Sequence, residues 1–284
     1  AAAFEEWRSL LFGIAYRMLG SAADAEDMVQ EASVRWFRRG DEPVRSARAY
    51  LVTVVTRLCI DHLESAHTTR VSYTGPWLPE PVVVDETAAV EQADSLSLAF
   101  LVLLEELTPP ERAAYLLHDI FGYSFEEVAR SLGRTPVSCR QLASRARQRI
   151  GERRHRFDAD LRHGRELTDR FLKACASGDL SGLLSMLSDD VVVWTDGGGK
   201  VRAAMRPVVG PQRSARFLIN VAKRVAGIPQ GVILNGQPAA VLVDRGAVVA
   251  AVVLDIMEGR IVGVRVVSNP DKLERLAGQV LATS

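Results

Sequence analysis

Apolar residues recur every three or four positions through most of the N-terminal half of the chain, and this spacing predicts helices. The first is predicted over residues 4–19. Ser21 is a suitable N-cap for a second helix, over residues 22–39, whose first turn carries acidic residues where the helix dipole favours them. A third helix is predicted over residues 47–64. Helical spacing resumes near residue 88 and continues, with two breaks, to about residue 157.

After about residue 163 the pattern changes to short apolar runs rich in β-branched residues. Helices predicted at residues 166–176 and 214–225 flank the stretch VVVWTDGGGK. The runs are separated by turn residues and predict a meandering antiparallel sheet; they occupy residues 231–235, 239–243, 247–257 and 260–267. The chain is therefore expected to be multidomain, with all-α domains followed by an α+β domain.

Residues 124–150 have the pattern of a helix-turn-helix. Ser124 and Glu127 form a capping box at the start of the first helix, and Gly133 can end it in a left-handed turn. Thr135 caps a second helix that begins with Pro136. The apolar face of this second helix consists of Cys139, Leu142, Ala143, Ala146 and Ile150. The opposite face consists of Gln141, Ser144, Arg145 and Gln148, with Arg140, Arg147 and Arg149 on the flanks.

Positive charge is concentrated in the same region. Residues 130–156 contain nine arginines and one acidic residue, although the whole chain of 284 residues has no net charge. Residues 1–107 have a net charge of −8, whereas residues 108–164 and 165–284 each have +4. An apolar back, a polar front and an excess of cations suit a helix that lies in a DNA major groove and binds phosphates. The alternative is a solvated helical hairpin, because charge runs usually face solvent.

Composition indicates where the domains divide. Three prolines and a glycine exclude regular structure between residues 71 and 87, so a linker containing Trp77 is predicted over residues 71–90. The predicted domains are residues 1–70, 91–163 and 164–284. The three cysteines match no metal or disulfide spacing, and the sequence lacks a signal-peptide pattern and an apolar run of the roughly 18 residues that span a membrane. These features predict a cytoplasmic protein.

Three ordered motifs resemble a known family. DAEDMVQE at residues 24–31, AYLVTVVTRLCID at 49–61 and the helix-turn-helix at 124–149 together resemble bacterial sigma factors of the extracytoplasmic-function class. The resemblance covers roughly residues 4–160. It implies two helical sigma domains, called region 2 and region 4, joined by a flexible linker.

Further signatures narrow the resemblance. They are YTGPWLPEP at residues 73–81, DGGGK at 196–200 and NPDK at 269–272. They are similar to a subgroup with a fused SnoaL-like domain, a curved-sheet cone of the ketosteroid-isomerase shape. The resemblance implies that this domain regulates the sigma factor from within the same chain, in place of a separate anti-sigma protein.

The resemblance implies that the second helix docks on RNA polymerase core, at the clamp helices of the largest subunit, with the flap as a further contact. The expected docking residues share one helix face by their spacing, and are Asp24, Asp27, Gln30 and Glu31. On the other side, Met28, Val29, Ala32 and Phe37 are expected to pack inward. The alternative is an ordinary solvated face.

The resemblance also implies two contacts with promoter DNA. Arg57, His62 and Arg70 lie where the family captures an unpaired base of the minus-ten element; the alternative is that they are simple surface residues. The residues expected to bind duplex DNA are Arg134, Ser138, Arg140, Gln141, Ser144, Arg145 and Gln148. The protein is expected to be a monomer when free, with no membrane partner and no cofactor.

The C-terminal domain is expected to act through contacts with the linker and not through catalysis. The expected contact residues are Trp77, Leu78, Pro79, Asp196, Gly197, Gly198, Gly199, Lys200, Asn269, Pro270, Asp271 and Lys272. No catalytic residue and no metal ligand are predicted. Every histidine lies at or before His163 and every tyrosine at or before Tyr123, which leaves carboxylates such as Asp190, Asp196 and Asp255 for acid–base chemistry.

Two alternative functions stay open. One is a DNA-binding ligand sensor or enzyme whose cone domain binds a small molecule. A roomy, polar cone with converging carboxylates would support it, and a cone filled by its own side chains would exclude it. The other is a helix-turn-helix repressor that acts without polymerase, against which the acidic second helix argues.

Overall fold

The computed structural model describes residues 2–39, 44, 46–71, 73–83, 95–151, 161–225 and 227–281. The chain divides into two compact units. The first comprises residues 1–72 and 101–154, and the second comprises residues 73–100 and 155–284. The linker segment therefore groups with the C-terminal part of the chain. None of the helices in the described residues is long and apolar enough to span a bilayer.

The first unit is helical. Its helices are α1 (Ala2–Glu5), α2 (Arg8–Leu19), α3 (Ala22–Arg38), α4 (Ala47–Val71), α5 (Leu98–Leu104, which crosses the boundary between the units), α6 (Pro109–Tyr115), α7 (Phe125–Leu132) and α8 (Pro136–Gly151). Helix α6 continues into a turn of π-helix at Leu116–Ile120. The first predicted helix is divided into α1 and α2, and the third is longer than predicted because it continues to Val71.

Helix α3 begins as its sequence predicts. The Ser21 hydroxyl accepts a hydrogen bond from the Asp24 amide at 3.1 Å. The buried residues follow helical spacing and are Ala22, Ala25, Val29, Ala32 and Trp36. The prediction that Phe37 packs inward is wrong. This spacing directs Trp36 into the core and leaves Phe37 54% exposed.

The helices of the first unit pack in two groups that share a contact. Helices α2, α3 and α4 pack on one another through fully buried residues such as Leu11, Ile14 and Leu51. Helices α6, α7 and α8 form the second group. Helix α4 also packs against α6 and α7, so the helix-turn-helix and the third predicted helix belong to one compact unit.

The second unit has the predicted α+β class. Its helices are α9 (Leu161–Ser177), α10 (Leu180–Met186), α11 (Pro211–Ala222) and α12 (Pro270–Leu281). Its strands are β1 (Leu187–Asp196), β2 (Val208–Val209), β3 (Ile228–Leu234), β4 (Gln237–Asp244), β5 (Ala247–Met257) and β6 (Arg260–Val267). They form one sheet in the order β2-β1-β6-β5-β4-β3. Helices α9, α10 and α11 contribute to the apolar core on one face of it, and α12 packs against β5.

The sequence pattern predicted an antiparallel meander, but the sheet also contains a parallel pair of strands. Strands β3 to β6 do form a meander, but β1 lies beside β6 and runs parallel to it, with Val193 opposite Val264 and Asp196 opposite Val267. Parallel strands need a crossover connection, and here β2 to β5 and α11 lie between the two strands in sequence. Because β1 and β6 are parallel, their C-terminal ends lie side by side at the same end of the sheet.

Candidate nucleic-acid interface and linker-binding cluster

The helix-turn-helix is capped as its sequence predicts. The Ser124 hydroxyl accepts a hydrogen bond from the Glu127 amide at 3.3 Å, and the Glu127 carboxylate accepts one from the Ser124 amide at 2.8 Å. The hydrogen bonds from Ser124 favour the charged carboxylate and lower the pKa of Glu127. Gly133 ends α7 with a φ of 64°, and the Thr135 hydroxyl accepts a hydrogen bond from the Ser138 amide at 3.2 Å.

Helix α8 has a buried back and an exposed front. The buried residues are Cys139, Ala143, Ala146 and Ile150, whereas Leu142 is half-buried. Of the residues predicted to bind duplex DNA, Ser138 is half-buried, and the exposed ones are Arg134, Arg140, Gln141, Ser144, Arg145 and Gln148. These side chains therefore lie on one continuous polar face.

Three arginines of α8 pair with acidic residues that come from α6, α7 and the π-helical turn. The pairs are Arg140 with Glu126 at 3.3 Å, Arg147 with Asp119 at 2.7 Å and Arg149 with Glu111 at 2.6 Å. Among the described residues, Arg145 makes no ion pair, and its side chain is exposed to solvent. The excess of cations counted along the sequence is thus partly neutralised by folding, and Arg145 is the strongest candidate for a base or phosphate contact.

Arg57 lies where α4 packs against α7. Its Nε donates to the carbonyl oxygen of Ser131 at 2.8 Å, and its Nη2 donates to the carbonyl oxygen of Arg130 at 3.2 Å. The Thr53 hydroxyl, one helical turn earlier, lies 3.1 Å from the Ser131 hydroxyl. The last carbonyls of a helix lack partners within that helix. The Arg57 guanidinium satisfies two of them at the end of α7.

The other residues predicted at the minus-ten contact lie on the same helix. His62 is half-buried, and its Nε2 lies 3.7 Å from Asp24 Oδ2 on α3. A residue predicted to bind DNA and one predicted to bind polymerase are therefore neighbours. Arg70 belongs to the end of α4, where the side chains lie outside the described residues.

The predicted polymerase-docking residues share one side of α3. Asp27 and Gln30 are exposed, and Asp24 and Glu31 are half-buried. Glu31 also accepts a hydrogen bond from Arg35 at 2.9 Å, an i,i+4 pair on the helix surface. Three of these four side chains carry acidic groups, so the face presents negative charge for a cationic partner.

A second candidate site lies where β1 and β6 end. We call Asp196, Asn269 and Lys272, together with the linker residues Tyr73 and Leu78, the linker-binding cluster. The Asp196 side chain is 0% exposed. Its oxygens accept hydrogen bonds from the Tyr73 hydroxyl at 2.5 Å, the Leu78 amide at 2.9 Å, the Gly198 amide at 3.0 Å and Lys272 Nζ at 2.7 Å. Such partners offset the cost of removing a carboxylate from water.

Lys272 contacts the linker from the side of α12. Its Nζ also donates to the Leu78 carbonyl oxygen at 2.5 Å. The same ammonium lies 5.0 Å from the centre of the Tyr73 ring and 4.4 Å from that of the Trp77 ring, where a cation is attracted to the aromatic faces. Asn269 Nδ2 donates to the Tyr73 hydroxyl at 3.0 Å. The motifs DGGGK and NPDK thus meet the linker motif in one place.

The glycines of DGGGK permit this close approach. Gly198 and Gly199 have φ angles of 61° and 71°, a left-handed conformation that favours glycine. A Cβ atom at Gly198 would collide with the Asn269 amide, and one at Gly199 would lie 3.2 Å from Thr74 of the linker. Gly197 has no room for a Cβ because the Val201 carbonyl oxygen occupies that space.

The linker is also bound at a second place. Its residues from 78 to 82 are buried, among them the predicted contacts Leu78 and Pro79. Asn235, in the turn between β3 and β4, exchanges two hydrogen bonds with Val82 at 2.9 and 3.1 Å and donates a third to the Leu96 carbonyl oxygen at 2.9 Å. The remaining predicted contacts are less involved. Lys200 and Asp271 form an exposed ion pair at 2.7 Å, and Pro270 begins α12.

Tyr73 and Asn235 are contact residues that the sequence analysis did not select. Burial, followed by the hydrogen bond to Asp196, raises the pKa of Tyr73, so its hydroxyl stays protonated and donates. A signal for Tyr73 existed, because it opens the linker motif YTGPWLPEP. Asn235 carried only a turn signal, since Asn–Gly is typical of a hairpin.

The carboxylates considered for acid–base chemistry do not converge. Asp196 belongs to the linker-binding cluster, whereas Asp190 is exposed and accepts a hydrogen bond from Ser188 at 2.7 Å. Asp255 is buried and pairs with Arg265, whose pKa burial lowers to about 9. In the described part of the chain, no three His, Cys, Asp or Glu side chains are grouped so that they could bind a metal ion.

Comparison with family models identifies the two helical parts. The model described as Sigma-70 region 2 matches residues 3–69, and the model described as Sigma-70, region 4 matches residues 97–150. The second match contains the whole helix-turn-helix.

Comparison with known proteins extends the similarity to the full chain. The ECF RNA polymerase sigma factor SigJ of Mycobacterium tuberculosis is 39% identical over 95% of this chain and 91% of its own length. The probable ECF RNA polymerase sigma factor SigI of the same species is 32% identical over 99% of this chain and 97% of its own length. The crystal structure of Mycobacterium tuberculosis SigJ superposes with a TM-score of 0.76 and 35% identity, covering 96% of this chain and 98% of that one.

Proposed function

Since the chain belongs to the family of extracytoplasmic-function RNA polymerase sigma factors, which recognise promoters and start transcription, we propose how its parts divide this work. Residues 1–70 bind core polymerase and the minus-ten element. Residues 91–163 read duplex promoter DNA, and residues 164–284, the SnoaL-like domain, regulate through the linker at residues 71–90. The protein acts in the cytoplasm, is a monomer when free and is not an enzyme. It needs no cofactor and no separate anti-sigma protein.

Polymerase docking is assigned to the acidic face of α3. The face is supported by the buried opposite side of the helix, which fixes its orientation in the first unit. A complementary basic surface on the clamp helices would speed and orient docking more than it would add affinity. The flap is the proposed second contact on the core.

Duplex recognition is assigned to the exposed face of α8. Gln141, Ser144, Arg145 and Gln148 are polar, exposed and carried by a helix whose back is buried. Arginine and glutamine side chains can form paired hydrogen bonds with guanine and adenine edges in the major groove. This exposed polar face, on a capped and packed helix, is the observation that carries the assignment to promoter binding.

The contact between α4 and α7 suggests that the first unit opens during initiation. In the structure the Arg57 guanidinium donates to the carbonyls at the end of α7. An Arg57 that binds promoter DNA must give up these bonds. We therefore infer that the described arrangement is a resting form, and that binding to polymerase and promoter separates α4 from α7.

Regulation by the C-terminal domain is supported by the linker-binding cluster. The chain between the two sigma regions passes through this cluster, where Asp196 and Lys272 bind Leu78 through its amide and its carbonyl. A domain that binds the linker limits how far the two sigma regions can move apart. Promoter elements have a set spacing on DNA, so this limit bears directly on promoter choice.

Run-off transcription with core polymerase tests the proposal. Trp77→Ala removes the half-buried ring that lies against Lys272, and truncation of an aromatic anchor at an interface can cost about 2 kcal/mol. We expect a severalfold loss of transcript, because we assign the domain a positive role. Val83→Ala, a change at an exposed linker residue, serves as the matched control. Equal output from wild type and both variants would show that the domain is a passenger.

A further inference from the structure

The C-terminal domain contains a cavity of about 490 Å³ between its helices and its sheet. The walls come mainly from α9, α11 and strands β4 to β6, and include Phe171, Phe217, Leu218, Val248 and Val252. Further lining residues come from β1, β3, α12 and the loop after DGGGK. Protein interiors are close-packed and contain few voids larger than a water molecule. The volume falls within the roughly 300–1,000 Å³ of small-molecule sites, which are also lined mainly by apolar side chains.

The lining determines what kind of molecule fits. It contains no aspartate, glutamate or histidine among the described residues, and its one charged member is the exposed Arg202 at the rim. The hydroxyls of its Thr195 and Ser268 already form hydrogen bonds within the protein. The Thr195 hydroxyl accepts from the Ala204 amide at 2.8 Å, and the Ser268 hydroxyl donates to the Asp196 carbonyl oxygen at 3.2 Å. The cone is therefore roomy but apolar. It lacks the converging carboxylates that an acid–base enzyme would need.

We propose that this cavity binds an amphipathic carboxylic acid of the fatty-acid type. The apolar body lies between α11 and the sheet, where it gains the free energy of leaving water. The carboxylate stays at the rim within reach of Arg202, whose guanidinium can donate two hydrogen bonds to it. A ligand of this kind leaves no charge buried in the apolar interior.

The cavity and the linker-binding cluster lie on opposite sides of the same short segments. Three cavity residues each have a sequence neighbour that contacts the linker. One pair lies in β1, where neighbouring side chains point to opposite faces, and the other two lie just after β6 and in the first turn of α12. The pairs are Thr195 with Asp196, Ser268 with Asn269, and Leu273 with Lys272.

The loop after DGGGK provides a further connection. Val201, Arg202 and Ala203 form part of the cavity wall. The next residue, Ala204, lies beside Gly75 of the linker: a Cβ atom added to Gly75 would lie 3.8 Å from the Ala204 carbonyl oxygen. We infer that ligand binding shifts this loop and changes how firmly the linker is bound. This second part rests on the proposed regulatory role of the linker.

Binding is tested by calorimetry on the full chain, with dodecanoate and dodecanol as probes. Wild type should bind both. Arg202→Gln should weaken dodecanoate about three- to tenfold and leave dodecanol unchanged, since an exposed charge pair adds modest affinity. Arg216→Gln, an exposed arginine of α11 outside the lining, is the matched control and should change neither.

Two substitutions fill the cavity. Ala250→Phe adds a ring to its floor, and Ala222→Phe does so at a half-buried position that tolerates added volume more readily. Each variant that melts cooperatively by circular dichroism should lose binding of both probes. Absence of binding to wild type, or undiminished binding to a folded filled variant, would overturn the site.

Coupling is tested by hydrogen exchange of the peptide that contains residues 73–83. Dodecanoate should change the exchange rate of the Leu78 amide, which donates to Asp196, by threefold or more. Binding without any change at the linker would overturn the coupling but not the site. Calorimetry on Trp77→Ala distinguishes the ligand site from the regulatory role of the linker. This variant should still bind dodecanoate, whatever its effect on transcription.

Discussion

Arginine residues of α8 look alike in the sequence but differ in the folded protein. Arg147 pairs with Asp119 and Arg149 with Glu111, so these guanidinium groups connect α8 to the π-helical turn and to α6. Arg145 points outward from the middle of the same helix. The partners come from residues 28 and 38 positions earlier in the chain, which helical spacing alone does not reveal.

This difference predicts unequal effects on DNA binding. Arg145→Ala should weaken binding to promoter duplex by about 1–3 kcal/mol if the guanidinium pairs with a guanine edge. Fluorescence anisotropy with promoter and scrambled duplexes measures this, and Arg147→Ala is the control, with a smaller expected loss. An equal loss on both duplexes with a reduced salt slope would indicate a phosphate contact. No loss on either would reject α8 as the DNA-binding helix.

Asp196 is the residue on which the linker contact depends most. Asp196→Asn removes the charge opposite Lys272 and leaves one acceptor oxygen where two oxygens accept from four donors. Buried donors without a partner cost about 1–3 kcal/mol each. We expect faster exchange of the Leu78 amide and faster proteolysis within residues 73–83. Asp190→Asn, at an exposed carboxylate of the same strand, should behave like wild type; if both variants do, Asp196 does not stabilise the linker.

The three cysteines report on the folded core of both units. Cys59, Cys139 and Cys175 are buried, and burial raises the pKa of each thiol, that of Cys175 from 9.0 to about 12. Only the thiolate reacts with iodoacetamide, so at pH 8 the native protein should stay unlabelled while the unfolded chain takes up three groups. Because the folded pKa lies above the unfolded one, stability should fall as the pH rises from about 9 toward 12. Mass spectrometry counts the labelled thiols, and a native thiol that reacts with iodoacetamide at pH 8 would contradict the labelling prediction.

At the scale of elements, helix α3 has two sides of different chemical character. Its buried side packs on α2 and α4, and its opposite side carries the acidic residues. Asp24→Arg with Asp27→Arg should abolish binding to core polymerase while leaving the fold intact, because both changes are made outside the core. Glu5→Arg with Glu6→Arg makes the same change in charge at exposed positions of the same unit. Native-like affinity of the α3 variant in a pull-down would reject the docking face.

Strand β1 illustrates an element whose place was not predictable from its own sequence. Its apolar alternation is typical of a strand, but the alternation is the same whether the neighbour is parallel or antiparallel. The position of β1 beside β6 decides that Asp196 and Asn269 are adjacent, with the Asn269 amide donating to the Asp196 carbonyl at 3.0 Å. The linker-binding cluster depends on this pairing.

At the scale of the whole molecule, the division of the chain does not follow the order of its motifs. The linker, which lies between the two helical sigma regions in sequence, belongs to the same compact unit as the C-terminal domain. Loop segments between domains usually carry few contacts. Here Tyr73, Leu78 and Val82 make hydrogen bonds to residues more than a hundred positions away.

The sequence by itself predicted most of the helices, the caps of the helix-turn-helix and the exposed polar face of α8, because these depend on residues three or four positions apart, whereas α10 and α12 were not predicted. Ser124 and Glu127 cap each other, Gly133 adopts the left-handed turn, and Cys139 lies on the buried back of its helix. The tertiary structure decided which charges are neutralised, where Arg57 donates its hydrogen bonds, how β1 joins the sheet, and that an apolar cavity lies behind the linker-binding cluster. Those features join residues far apart in the chain, and their geometry is set by the packing of whole helices and strands, which local patterns do not encode.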